Sequence, residues 1–252
     1  MVRLSVCSFL LVVAIAVFAR EPAIATLIIV RQTPEEIVAG ADSFRSYHGD
    51  STTTGVCKLH QVGSTFYGIA GIGARKDSGE DMFGDIIDNR LKKNGSLLSK
   101  VNDIGKQLMP ALNRVLEAMR RYNATDFSKK YSDTEPLQVT IFGFENGTSH
   151  VFTIAFDPIK NVSDPVDVTG TIEGTSGKVA TFASGATRGI EHLLRDEKVW
   201  EIGTVRGVRK LIEYQSGERP DLVGGDIHIL RVNKTQARWE NKIPACREIY
   251  KY

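Results

Sequence analysis

Thr26-Leu27-Ile28-Ile29-Val30-Arg31-Gln32-Thr33-Pro34-Glu35-Glu36-Ile37-Val38-Ala39-Gly40-Ala41-Asp42-Ser43 is the stretch that decides the fold. Thr26 to Val30 is a β-branched apolar run, and Glu36 to Ala41 is a second. Gln32-Thr33-Pro34-Glu35 supplies turn chemistry between them, so the stretch predicts a hairpin of buried strands. The return strand ends on a carboxylate, Asp42, directly after five small or apolar residues.

Upstream of Thr26 the composition changes. Arg3 gives a positive start, Leu10 to Phe18 (LLVVAIAVF) is unbroken apolar, and Ala23-Ile24-Ala25 carries the A-x-A spacing that signal peptidase reads. The apolar run is shorter than the roughly 20 residues a membrane-spanning helix needs. Residues 1–25 therefore read as a cleaved signal peptide, with an uncleaved membrane anchor as the competing reading. Residues 26–252 read as a single domain that is secreted or periplasmic, without stable membrane insertion after cleavage. A second cut, after Ala19, would leave Arg20 to Ala25 as a short pro-segment.

Downstream, Gly55 to Val62 and Thr65 to Ala70 predict another strand pair about Gly63-Ser64, with Gly68, Gly71 and Gly73 breaking the pattern into a tight loop. From Ser78 to Arg121 the period becomes helical, through Phe83, Ile87 and Leu91 and then Leu97, Val101, Ile104, Leu108, Leu112 and Leu116. Asn94-Gly95-Ser96 separates two helices. Asn123 to Glu135 reads as a polar linker. Strands are expected at Leu137 to Phe144 and His150 to Phe156, a loop over Asn161 to Gly177, and a short strand over Lys178 to Ala183. Helices near Thr187 to Arg195 and Trp200 to Gln215 precede a last strand, Asp226 to Val232. This order is an α+β pattern with helices on the outer faces of packed sheets.

Composition narrows the function. Hydrophobic residues make up 42% and the formal net charge is +2, without a Lys/Arg cluster interleaved with aromatics, so nothing points to a nucleic-acid partner. Cys7 lies in the leader, while Cys57 and Cys246 remain and an exported compartment permits them to pair. No C-x-x-C or His-rich spacing predicts a metal, and no cofactor is expected. Asn-x-Ser/Thr sequons begin at Asn94, Asn123, Asn146, Asn161 and Asn233.

The segment Thr26 to Gly71 resembles the opening of proteasome β-subunits and of the related HslV peptidase, which are N-terminal-nucleophile (Ntn) hydrolases. In that family the mature chain begins with Thr, returns on a strand ending in Asp, and then places a Lys in a short strand. Here Val56-Cys57-Lys58-Leu59 follows, and Thr26 to Asp42 and Asp42 to Lys58 are each 16 positions, as in the family. The predicted leader cut, an unrelated argument, puts Thr26 at the same first position. The resemblance implies a four-layer αββα sandwich and a threonine-type peptidase or amidohydrolase, without cofactor, acting on a peptide or small amide and self-associating in ring-like homo-oligomers.

It also implies roles. Thr26 would supply the attacking hydroxyl and, once cleavage frees it, its own α-amine as the base, a group that titrates near pH 7.7–8. Lys58 would stabilise developing negative charge, and Asp42 would hold Lys58 in place. Gly71 matches the glycine that offers its N–H to the oxyanion. Ser184, in Ala183-Ser184-Gly185-Ala186, matches a Ser beside the N-terminal amine; a helix N-cap is the competing reading. The family's Asp-x-x-Ser-Gly-Gly segment is altered to Pro220-Asp221-Leu222-Val223-Gly224-Gly225, where Val223 stands in place of Ser. The contrasting expectation is a catalytically inert Ntn-fold binding or structural protein, with Thr26 an ordinary strand residue and Asp42–Lys58 a structural ion pair.

Overall fold

A computed structural model describes residues 26–46, 52–53, 55–72, 83–159 and 166–250. The leader over residues 1–25, Gly73 and the sequon at Asn161 lie outside the described residues. The opening hairpin is present as β1 (Leu27–Gln32) and β2 (Glu36–Asp42). Thr33 closes its turn: the Thr33 hydroxyl oxygen accepts the Glu36 N–H at 3.0 Å, and the Thr33 N–H donates to the Glu36 carbonyl at 2.8 Å. Every residue of β1 is buried, as continuous apolar runs require when both faces of a strand are covered.

Next come β3 (Arg45–Ser46), β4 (Thr52–Thr53), β5 (Leu59–Val62) and β6 (Thr65–Gly71). The strand expected from Gly55 begins only at Leu59. Before it, the Val56 N–H donates to the Ser43 carbonyl at 3.1 Å and the Lys58 N–H to His228 at 3.1 Å, so these groups serve other partners than a ladder. Gly68, expected to break the pattern, lies inside β6, where a Cβ would stand 2.7 Å from Ile28 Cδ1. It serves close approach of two strands rather than a turn.

The helical stretch divides into α1 (Gly84–Leu91) and α2 (Leu97–Tyr122), with the Ser96 side chain capping α2 by accepting the Ser99 N–H at 3.3 Å. The linker expected over Asn123 to Glu135 instead contains α3 (Ala124–Tyr131). Asn123 caps it by accepting the Asp126 N–H, and Phe127 and Tyr131, one turn apart, are buried. After β7 (Leu137–Glu145) and β8 (Thr148–Phe156), the expected loop holds β9 (Gly170–Ser176). This edge strand is almost wholly exposed, so it lacks the apolar alternation that marks a half-buried strand.

The chain continues as β10 (Ala180–Gly185), α4 (Glu191–Leu194), α5 (Lys198–Glu201), α6 (Thr204–Glu218), β11 (Ile227–Asn233) and β12 (Ala237–Asn241). The expected helix from Trp200 is split at Gly203, whose φ of +94° no helix accepts. β12 is one strand beyond the expected last one.

Two antiparallel five-stranded sheets result, ordered β10-β1-β2-β11-β12 and β5-β6-β7-β8-β9, with six helices among the described residues. Three apolar clusters hold them. Ile28, Val30, Ala39 and Leu230 of one sheet pack with Phe66, Phe142 and Val151 of the other. The stripes of α1, α2 and α3 cover Val139, Ile141 and Ile154. Val208, Leu211 and Ile212 of α6 cover Leu27, Ile29 and Val38. Each such side chain, fully buried, contributes roughly 1.5–3 kcal/mol.

Candidate active site

The site is assembled where β1 begins, because antiparallel pairing puts the start of β1 and the finish of β2 at the same end of the sheet. Pairing Ile28 with Ala41 places Asp42 beside Leu27 and Thr26. Asp42 is buried, and its two oxygens collect donors from four parts of the chain. Oδ1 accepts the Leu27 N–H at 2.8 Å and the Lys58 ammonium at 2.7 Å. Oδ2 accepts the N–H groups of Phe44 and Gly224, each at 3.2 Å. These four donors fix the carboxylate's position and orientation.

Lys58 is 2% exposed, so its charge sits almost entirely out of water. Burial pulls its ammonium down to about 8, while the Asp42 carboxylate beside it pulls the other way. Burial thus sets Lys58 well below the range of a surface lysine. Because Leu27 N and Lys58 Nζ share one oxygen, the ammonium stands next to the first peptide of β1.

Thr26 precedes β1 and is 8% exposed. Its carbonyl accepts the Ala186 N–H at 2.8 Å, which ties it to the end of β10. Opposite it, Gly185 has a φ of +91°, and a Cβ there would fall 2.0 Å from the Thr26 carbonyl oxygen. The same Cβ would lie 3.2 Å from the Ala70 side chain, so the end of β6 also reaches this point. Gly71, the next residue, has a φ of +98° and is hemmed in by the Pro136 carbonyl. Register and hydrogen bonds thus group Thr26, Asp42 and Lys58 at the start of β1, with Ser184 paired to Ile28 and Gly71 next to Ala70, which reaches Gly185.

Ser184 lies within β10, opposite Ile28, and not at a helix start; the competing N-cap reading is incorrect, since α4 begins at Glu191. Its buried hydroxyl pairs with the Thr140 hydroxyl of β7 at 2.7 Å, linking the two sheets, and Thr140 in turn meets the Thr153 hydroxyl at 3.2 Å.

The altered segment behaves differently from the family's pattern. Asp221 is exposed and pairs with Arg219 at 3.2 Å. Val223 is fully buried in the apolar cluster under α6. Gly224 alone joins the site, through its N–H to Asp42 and its carbonyl, which accepts the Ser43 N–H at 3.2 Å.

His228 was not singled out by the sequence reading. It lies on β11 opposite Ala41, is wholly buried, and its Nε2 accepts the Lys58 N–H at 3.1 Å. Burial and the nearby Lys58 charge push its pKa down to about 3, so the ring is neutral. A polar ring between Ile227 and Ile229, shortly after Gly224-Gly225, was the available signal.

Cys57 and Cys246 form a disulfide beside His228. With both sulfurs bonded to each other, this trio has one donor nitrogen left, too few for a metal. Compared with protein-family models and with curated proteins, the chain matches none.

Proposed function

We propose that the chain is an exported threonine-nucleophile hydrolase of peptide or other amide bonds, activated when removal of residues 1–25 frees the Thr26 amine. The observation that carries the reading is the buried Asp42 oxygen that takes both the Leu27 N–H and the Lys58 ammonium. A desolvated ammonium held beside the first peptide of the mature chain is the environment a Thr hydroxyl needs to become nucleophilic. In the proposed cycle the α-amine takes the hydroxyl proton as Thr26 Oγ1 attacks the substrate carbonyl. The oxyanion is stabilised by Lys58 and the Gly71 N–H, and the proton passes to the leaving amine. Water, activated by the same α-amine, then cleaves the ester and restores Thr26.

Further support comes from the three apolar clusters, which suit a four-layer αββα sandwich of the Ntn type, and from the disulfide, which suits an oxidising compartment. The burial of Val223 in the core favours the second reading, an inert Ntn-fold binding protein, because no hydroxyl stands at that position to support the amine.

Turnover of a small panel of fluorogenic peptide amides by the mature protein separates the two. We expect hydrolysis by the wild type and a loss of at least about a thousandfold in Thr26→Ala, with the fold unchanged by circular dichroism. Equal rates for the two proteins would refute the mechanism; absence of turnover in both would favour the inert reading.

A further inference from the structure

Cys57 and Cys246, 189 positions apart, are bonded, and their sulfurs and a ring nitrogen of His228 lie within 4.8 Å of one another. Cys57 lines a cavity of about 780 Å³ between β5, β6 and the chain end, whereas Cys246 is buried. The main chain sets the tautomer of His228. Because the Lys58 N–H donates to Nε2 and the ring is neutral, Nδ1 carries the proton. Among the described residues no acceptor reaches that Nδ1–H. A buried donor without a partner is unfavourable, and disulfide sulfur is a poor acceptor. A thiolate is a strong one. A thiolate freed within 4.8 Å of the His228 ring would supply the acceptor that Nδ1–H lacks.

We propose that Cys57–Cys246 is an exchange-active disulfide, a modification site for small thiols and dithiols, with His228 Nδ1–H receiving the departing thiolate. A dithiol's thiolate enters by the cavity and attacks Cys57 Sγ. The Cys57–Cys246 bond breaks, a mixed disulfide forms on Cys57, and the electron pair leaves on Cys246 Sγ, which accepts the Nδ1–H. The reagent's second thiolate then closes its own ring and expels the Cys57 thiolate. The dithiol is oxidised to a disulfide, and the protein gains two electrons as two thiolates, which take up from water the two protons that the dithiol released. A hydrogen bond to the charged form lowers the leaving thiol's pKa, and a lower pKa speeds its departure. Opening removes the covalent tie between the chain end and the residue before Lys58, leaving the Trp239 Nε1–H to the Arg247 carbonyl and the Tyr250 N–H to the Gln61 side-chain oxygen as holds on that end.

The test uses the mature full chain and dithiothreitol, with free thiols alkylated at intervals and counted by intact mass. It does not depend on hydrolase activity. His228→Gln keeps an acceptor near the Lys58 N–H but lacks a donor at the Nδ1 position, and His228→Asn does the reverse. We expect the folded wild type and His228→Asn to open at similar rates and His228→Gln at least about tenfold more slowly. Equal rates in all three would overturn the proposal, as would a wild-type bond that opens only in urea. Should His228→Gln fail to fold, wild type decides alone: opening by dithiothreitol with near-UV circular dichroism retained supports it, and resistance overturns it.

Discussion

Lys58 meets two opposed forces: removal from water, which disfavours its charge, and the Asp42 carboxylate, which favours it. Burial wins, and the sign of the consequence can be worked out. The ordinary value is 10.5 and the folded value is about 8, so between these the unfolded chain binds the extra proton. Unfolding free energy from this group therefore rises with pH across that window, and the charged form costs stability below it. Asp42 tolerates loss of the ammonium, since it still accepts three backbone N–H groups. Urea unfolding at pH 8 and pH 10 checks this: wild type is expected to gain stability relative to Lys58→Met, while identical slopes would refute it. Asp42 and Lys58 were legible through the family resemblance, whose spacing of 16 positions runs from Thr26 to Asp42 and again from Asp42 to Lys58. His228 was not, because its partner is a backbone N–H that no residue pattern records.

Elements were read where one face or both carry a clear apolar pattern: β1, β2, β7, β8 and α2 fall close to their expected bounds. Those missed lack such a pattern. β9 is an exposed edge, and α3 buries only Phe127 and Tyr131 on a short polar helix. The pairing of β1 with β10 is the junction that matters most, since it sets Thr26 against Gly185. Gly185→Ala puts a Cβ on the Thr26 carbonyl oxygen at a positive φ. We expect a loss of roughly 3 kcal/mol or more in denaturant unfolding, combining backbone strain with the clash. Gly217→Ala, where open space surrounds the Cβ, serves as the control and should change stability little.

Across the whole molecule, the disulfide fastens the chain end to the residue before Lys58 over a very long loop. The double variant Cys57→Ser/Cys246→Ser should lose about 2–5 kcal/mol, read as a lowered urea midpoint. The two cysteines were visible in the sequence but their proximity was not, because it depends on the packing of the last residues against β5. That helices flank packed sheets, by contrast, was legible from the order of periods, and the pairing into two sheets only through the resemblance. The central claim joins these scales: a chain cut before Thr26 presents hydroxyl and amine on one residue, beside a lysine held by Asp42. Intact-mass and N-terminal analysis of the protein expressed from the full-length chain, after incubation with a threonine-directed electrophile, tests it most directly. The account predicts a mature chain beginning at Thr26 and carrying one adduct on that residue. A chain beginning at Arg20, or one beginning at Thr26 that takes no adduct, would contradict it.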